Sequence, residues 1–127
     1  MIKPTLVLGA SLKPHRYSHF AVQKLAKYNH EVYPVGLRSG EIDGIKVDTV
    51  KTAFAKAKQH TSYFHTITLY LGPKRQEEYF DYVLGLKPKR VIFNPGTENP
   101  VFYKLLEKHG IEYEVACTLV LLSTNQY

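Results

Sequence analysis

A single cysteine, Cys117, rules out an internal disulfide and a cysteine-based zinc cluster. The six histidines show no ligand-like spacing such as His-Glu-x-x-His, which argues against a structural metal. No apolar run is long enough to cross a membrane. The one that follows Met1-Ile2-Lys3-Pro4 ends at Gly9, too short and wrongly flanked for a signal peptide. Cytoplasmic residence without a membrane partner is therefore the default expectation. Tracts of Pro, Gly or Ser and blocks of like charge are also missing, so nothing marks a linker, and residues 1–127 read as one domain.

Acidic residues are the scarcer charge. Lys and Arg total 17 against 11 Asp and Glu, a formal charge of +6. That balance favours polyanionic partners (nucleotides, phosphorylated cofactors or nucleic acid) without choosing among them. Lys87, Lys89 and Arg90, like Lys104 and Lys108, read as solvated faces.

Three runs, Thr5 to Leu8, Thr66 to Leu71 and Arg90 to Phe93, contain consecutive apolar or β-branched residues rather than clean alternation, as strands buried on both faces do. Glu31 to Val35 and Ile111 to Val115 are two further strands, each following a helical pattern. The first helix carries Ala21, Val22, Leu25 and Ala26 between Ser18 as N-cap and Asn29 as left-handed stop. A second presents Val50, Ala53, Phe54 and Ala57, and a third Tyr79, Phe80, Val83 and Leu84 before Gly85. Asn99-Pro100 opens the fourth, whose Phe102, Leu105 and Leu106 face inward until Gly110. Gly36 to Gly44 reads as a loop, and Ile45 to Val47 as a short edge segment. Alternating strands and helices need right-handed crossovers. The expected fold is thus α/β: a doubly wound, mostly parallel five-stranded sheet with helices on both faces.

Such sheets bind ligands beyond the carboxyl ends of the strands, where the strand order reverses. The loop after the first strand, Gly9-Ala10-Ser11-Leu12-Lys13-Pro14-His15-Arg16-Tyr17-Ser18, joins small residues for close backbone approach to two cations, hydroxyls and a helix start. All favour an anion. It is neither Gly-x-Gly-x-x-Gly nor a Walker loop, so its force comes from position. Asn94-Pro95-Gly96-Thr97-Glu98-Asn99 is a second donor-rich turn, although Pro95-Gly96 equally suits a type II turn with Asn99 as a cap. With strand order 3-2-1-4-5 the two loops flank the switch point. Tyr70 to Gln76 supplies a neighbouring wall.

Gly9-Ala10-Ser11, Lys13-Pro14, Arg16-Tyr17-Ser18, Asn94-Pro95-Gly96 and the late Cys117 resemble the CoA-binding domain family over essentially the whole chain. That family is similar to the amino-terminal domain of the succinyl-CoA synthetase alpha subunit. The resemblance implies a Rossmann-like fold holding CoA or acyl-CoA along the strand ends. It implies phosphates at Gly9, Ala10, Ser11, Lys13, Arg16 and Ser18, adenosine near Val35 and Gly36, and pantetheine along Tyr70, Leu71, Pro73 and Gln76. Two departures stand out: Val35-Gly36-Leu37 replaces the Val-Asn-Pro turn of many relatives, and Cys117 sits between Ala116 and Thr118, outside any Asn-Cys-Pro-Gly. The synthetase's phosphorylatable histidine lies in a further domain, so its ligase activity does not transfer.

The expected function is a small stand-alone CoA-binding protein (sensor, carrier or regulatory module) without catalysis of its own. An NADP-dependent enzyme is the alternative, since Arg38 suits the extra phosphate of either ligand. NAD is disfavoured, because the second strand ends in Val35-Gly36-Leu37-Arg38 with no carboxylate for the ribose diol. Nucleic acid is the weakest reading, as no RNP-like, KH-like or helix-turn-helix signature accompanies the basic charge. Cys117 is placed at the same sheet edge, near a CoA thiol or packed as a small hydrophobe. Whether two copies pair as a homodimer is open.

Overall fold

Strands β1 (Thr5–Leu8), β5 (Thr66–Leu69) and β6 (Arg90–Phe93) are buried along their whole length, as their unbroken runs predict. The computed structural model covers residues 1–127. With β2 (Val32–Gly36), β3 (Gly40–Ile42), β4 (Ile45–Thr49) and β7 (Glu112–Val115), these strands form one seven-stranded sheet in the order β3-β4-β2-β1-β5-β6-β7. Every pairing is parallel except β3 with β4.

The five-strand expectation falls short at one place. Asp43 (φ 50°) and Gly44 (φ 82°) both take positive φ, as a two-residue type I′ turn requires. They fold Glu41-Ile42 back on Ile45-Lys46 as a hairpin. Ile45–Thr49 is accordingly no edge segment. It pairs with β2 through Val35↔Asp48 and Gly36↔Thr49, and β3 takes the edge. The expected strand order changes too. The strand beside β1 on its far side is β5, in register Leu8↔Leu69, and β6 lies one strand further out. The chain therefore runs outward from β1 through β2 and β4, then returns to β5, placing the reversal between β1 and β5.

Side chains alternate between two cores. Leu6, Leu8, Ile67, Leu69, Val91 and Phe93 point to one face. There they meet Ala53 of α2 (Val50–Ala55), Val83 of α4 (Phe80–Leu86) and Phe102 of α5 (Pro100–Lys108), following α3 (Pro73–Gln76). Val7, Val47 and Ile42 point to the other, under Val22 and Leu25 of α1 (Tyr17–Lys27) and Leu122 of α6 (Thr118–Ser123). Each of these buried Val, Leu, Ile and Phe side chains contributes about 1.5–3 kcal/mol.

Local stop signals act as the sequence predicts at Asn29 (φ 67°) and Gly110 (φ 71°). His30 N–H reaches Leu25 O and Ile111 N–H reaches Leu106 O, closing both helices with Schellman-type bonds. Asn99 caps α5, accepting from Phe102 N–H at 3.4 Å. Two assignments move. The N-cap of α1 is Arg16, with Ser18 buried inside the first turn, and α4 runs through Gly85 to stop at Lys87, which is left-handed (φ 52°).

At the end of β4 the buried Asp48 carboxylate accepts from Tyr33 Oη at 2.7 Å and Lys56 Nζ at 3.1 Å. Burial alone would raise its pKa, but these two partners and the Lys46 charge hold it below the usual carboxylate value. A depressed carboxyl stabilises the fold above its unfolded pKa and ceases to do so as pH falls through the folded one. Asp48→Asn should therefore cost about 2 kcal/mol near neutrality. In urea unfolding, the gap to wild type should narrow as pH falls below the usual carboxylate range; a gap that stays constant there would show the charge to be immaterial.

Candidate functional site

The turn after β1 is built by compression. Gly9 (φ 93°) and Ala10 both donate to Val35 O at 2.9 Å, drawing the loop over the end of β2. On its other side, Gly9 lies so near Leu71 and the Tyr70 backbone that a Cβ would meet them at 3.0 and 3.1 Å. Beyond this point Ser18 Oγ accepts from Ser11 N–H at 3.1 Å, Ser11 Oγ accepts from Lys13 N–H at 3.1 Å, and His19 Nδ1 meets Ser11 O at 2.9 Å. Ser18 thus fastens the loop rather than capping the helix. The start of α1 has no side-chain cap and no acidic residue in its first turn, an arrangement suited to an anion.

These elements border a cleft of about 990 Å³ along the carboxyl ends of β2, β1, β5 and β6. Of the expected residues, Gly9, Ala10, Ser11, Lys13, Arg16 and Ser18 form one wall. Val35, Gly36 and Arg38 close the β2 end, Tyr70 and Leu71 the β5 end, and Pro95 and Gly96 the β6 turn. Burial, and next to it Cys117, pushes the Tyr70 hydroxyl well above its ordinary pKa. That hydroxyl is buried beside Thr68 and Thr118 without a hydrogen bond of good geometry, while the side chain borders the cleft.

Four expected residues do not border the cleft. Gln76 is fully buried: its Nε2 donates to Leu71 O and Thr97 O, each at 2.8 Å, and its Oε1 accepts from Asn99 Nδ2 at 2.9 Å. It ties the β5 loop to the β6 turn. Asn94 is equally committed, with Nδ2 on Thr68 Oγ1 at 2.6 Å and Leu69 O at 2.9 Å while Oδ1 accepts from Thr118 N–H at 2.8 Å. Its backbone O accepts from Thr97 N–H across Pro95 and Gly96 (φ 92°), the type II turn of the blander reading. Pro73 starts α3 with its ring outward, and the partly exposed Cys117 occupies the N-cap position of α6.

Sequence reasoning put Arg75 in the Tyr70 to Gln76 wall without giving it a role, and missed Tyr79, Val50 and Leu37, which also border the cleft. No helical period links Tyr79 to Arg75, because it lies in the 3-10 turn Glu77–Tyr79 that follows α3. The resulting lining is one-sided in charge. Lys13, Arg16, Arg38 and Arg75 are present without any Asp or Glu, and none of the four takes part in a salt bridge. Leu37 and Tyr17, 70% and 73% exposed, offer apolar surface at the mouth that a ligand would cover. No group of three or more His, Cys, Asp or Glu could hold a metal ion, and no helix is long and apolar enough to cross a membrane.

No curated protein matches the sequence. Among solved structures, the crystal structure of an uncharacterized protein is 39% identical with a TM-score of 0.88, over 100% of this chain and 99% of its own. A hypothetical protein from Pyrococcus horikoshii OT3 is 25% identical (TM-score 0.80; 97% of this chain, 83% of its own). A protein from Thermus thermophilus, at 22% identity and TM-score 0.79 over 98% of this chain and 91% of its own, shares the fold. The family model described as CoA binding domain matches residues 3–123, a span that holds every strand and every wall of the cleft, and the chain belongs to that family.

Proposed function

We propose that the chain is a small stand-alone CoA-binding module, a sensor, carrier or regulator, which takes CoA or acyl-CoA across the carboxyl edge of its single Rossmann-like domain. The observation that carries this reading is the charge of the cleft: four unpaired cations, no carboxylate and an uncapped helix start. CoA brings a diphosphate and a ribose phosphate to such a surface. Gly9, Ala10 and Ser11 supply close backbone approach, Lys13 and Arg16 charge, and Arg38 a partner for the ribose phosphate. Pantetheine would run past Tyr70, Leu71, Pro95 and Gly96. NADP is the second reading, favoured by Arg38 alone.

Calorimetry with CoA, NADP and NAD in one buffer should rank CoA tightest. NADP binding more tightly than CoA would defeat the assignment. Arg16→Ala should weaken CoA about tenfold, or roughly 1.5 kcal/mol, the loss of one hydrogen bond to a charged group. Arg16 is exposed, so the variant should melt as wild type does. Unchanged affinity would remove Arg16 from the site.

A further inference from the structure

We propose that Arg75 is a ligand-binding residue in its own right: with Arg38 it closes on the ribose phosphate of the nucleotide, so that the cleft selects CoA over dephospho-CoA. The inference rests on the CoA reading and adds to it the residue that reads the 3′-phosphate.

Arg75 is exposed, borders the cleft and has no ion-pair partner, whereas its neighbour Lys74 lies outside the lining. Its direction is set by Gln76. Because that amide is buried and bonded at both ends, the α3 turn cannot rotate about its axis, and the residue before it is held on the adjoining stripe. Tyr79, at the end of the 3-10 turn Glu77–Tyr79 that follows, borders the cleft beside it. Burial pushes the Tyr79 hydroxyl up, and the Arg75 guanidinium beside it opposes the shift.

The same tyrosine shows which half of the cleft Arg75 serves. Its ring meets Phe54 of α2 edge-on at 5.9 Å, and Val50, the first residue of α2, borders the cleft as well. The α2 helix follows β4, whose last residues pair with Val35 and Gly36. This wall therefore converges on the β2 end, where Leu37 and Arg38 emerge. Lys13 and Arg16 stand on the opposite wall at the start of α1 and are left to the diphosphate.

Charge balance requires a second cation there. A phosphate monoester carries nearly two negative charges near neutral pH, and a single arginine compensates about half of that. The carboxylates next along the chain, Glu77 and Glu78, neither border the cleft nor pair with Arg75.

The test is a two-by-two calorimetric comparison of wild type and Arg75→Ala with CoA and dephospho-CoA at one salt concentration. Lys74→Ala serves as the control for general charge, and melting curves as the control for folding. Wild type should prefer CoA by at least about tenfold, and Arg75→Ala should lose about tenfold for CoA while changing little for dephospho-CoA. Lys74→Ala should leave both affinities near wild type. Equal losses for the two ligands, or none, would overturn the inference while leaving the CoA reading in place. Wild type that binds neither ligand would overturn both.

Discussion

Gly36→Ala is expected to cost the fold about 3 kcal/mol and to remove nucleotide binding with it. A Cβ on Gly36 would stand 2.2 Å from Ala10 O, closer than any real contact, and the atom it meets is backbone. The loop cannot simply withdraw, because Gly9 and Ala10 are held by their two bonds to Val35 O. Relief would require breaking those bonds or prising β1 from β2, and either movement displaces the loop that carries Lys13 and Arg16. Urea unfolding and calorimetry on the same sample would measure both effects. Gly85→Ala is the matched control. A Cβ there would meet nothing within 4 Å beyond its own stretch of helix, so that variant should gain about 0.5–1 kcal/mol. A Gly36→Ala protein as stable as wild type would mean that the loop is not anchored as described.

The second large effect is expected at Asn94. Its side chain donates twice to β5 and accepts from the first amide of α6. Asn94→Ala leaves Leu69 O and Thr118 N–H buried without those partners, at a cost of about 3 kcal/mol. Amide exchange should locate the damage, with Thr118 N–H losing protection before the core strands do. Protection at Thr118 equal to wild type would show that α6 is held by other contacts.

What could be read from sequence was what local chemistry decides. Asn29, Gly110 and Asn99-Pro100 punctuate helices through bonds to residues within a few positions of themselves, so the stops at the first two and the start at the third fall where predicted. Buried strands likewise announce themselves as unbroken runs. Strand order was not readable, since pairing β1 with β5 joins segments nearly half the chain apart. The hairpin was signalled by Asp43-Gly44, but its arms of three and five residues are too short for alternation to stand out. The six-residue α6 shows no period at all.

The site divides in the same way. Loop residues chosen for charge and smallness, such as Gly9, Lys13 and Arg16, border the cleft. Asn94, chosen for its donors, and Gln76, implied by the family resemblance, spend those donors inside the protein. A side chain's hydrogen-bonding capacity is visible in sequence, whereas what consumes it is a matter of tertiary distance. Arg75, placed in the Tyr70 to Gln76 wall by its loop, was given no role of its own for the converse reason, because only the burial of Gln76 fixes the direction in which its neighbour points.

The two outer strands of the sheet also bear on self-association. A sheet edge offers a row of unpaired backbone groups to any strand that approaches, and long apolar edges aggregate. Here β3 is three residues long and carries the exposed Glu41, while β7 is four residues long and exposes Glu112 and Glu114. Glu114 is paired with Arg90 at 3.2 Å, but two copies meeting β7 to β7 would still bring their Glu112 carboxylates into one strand pair, where like charges opposite one another are destabilising. In a protein whose net charge is +6, the acidic side chains at these edges disfavour growth of the sheet from one molecule into the next.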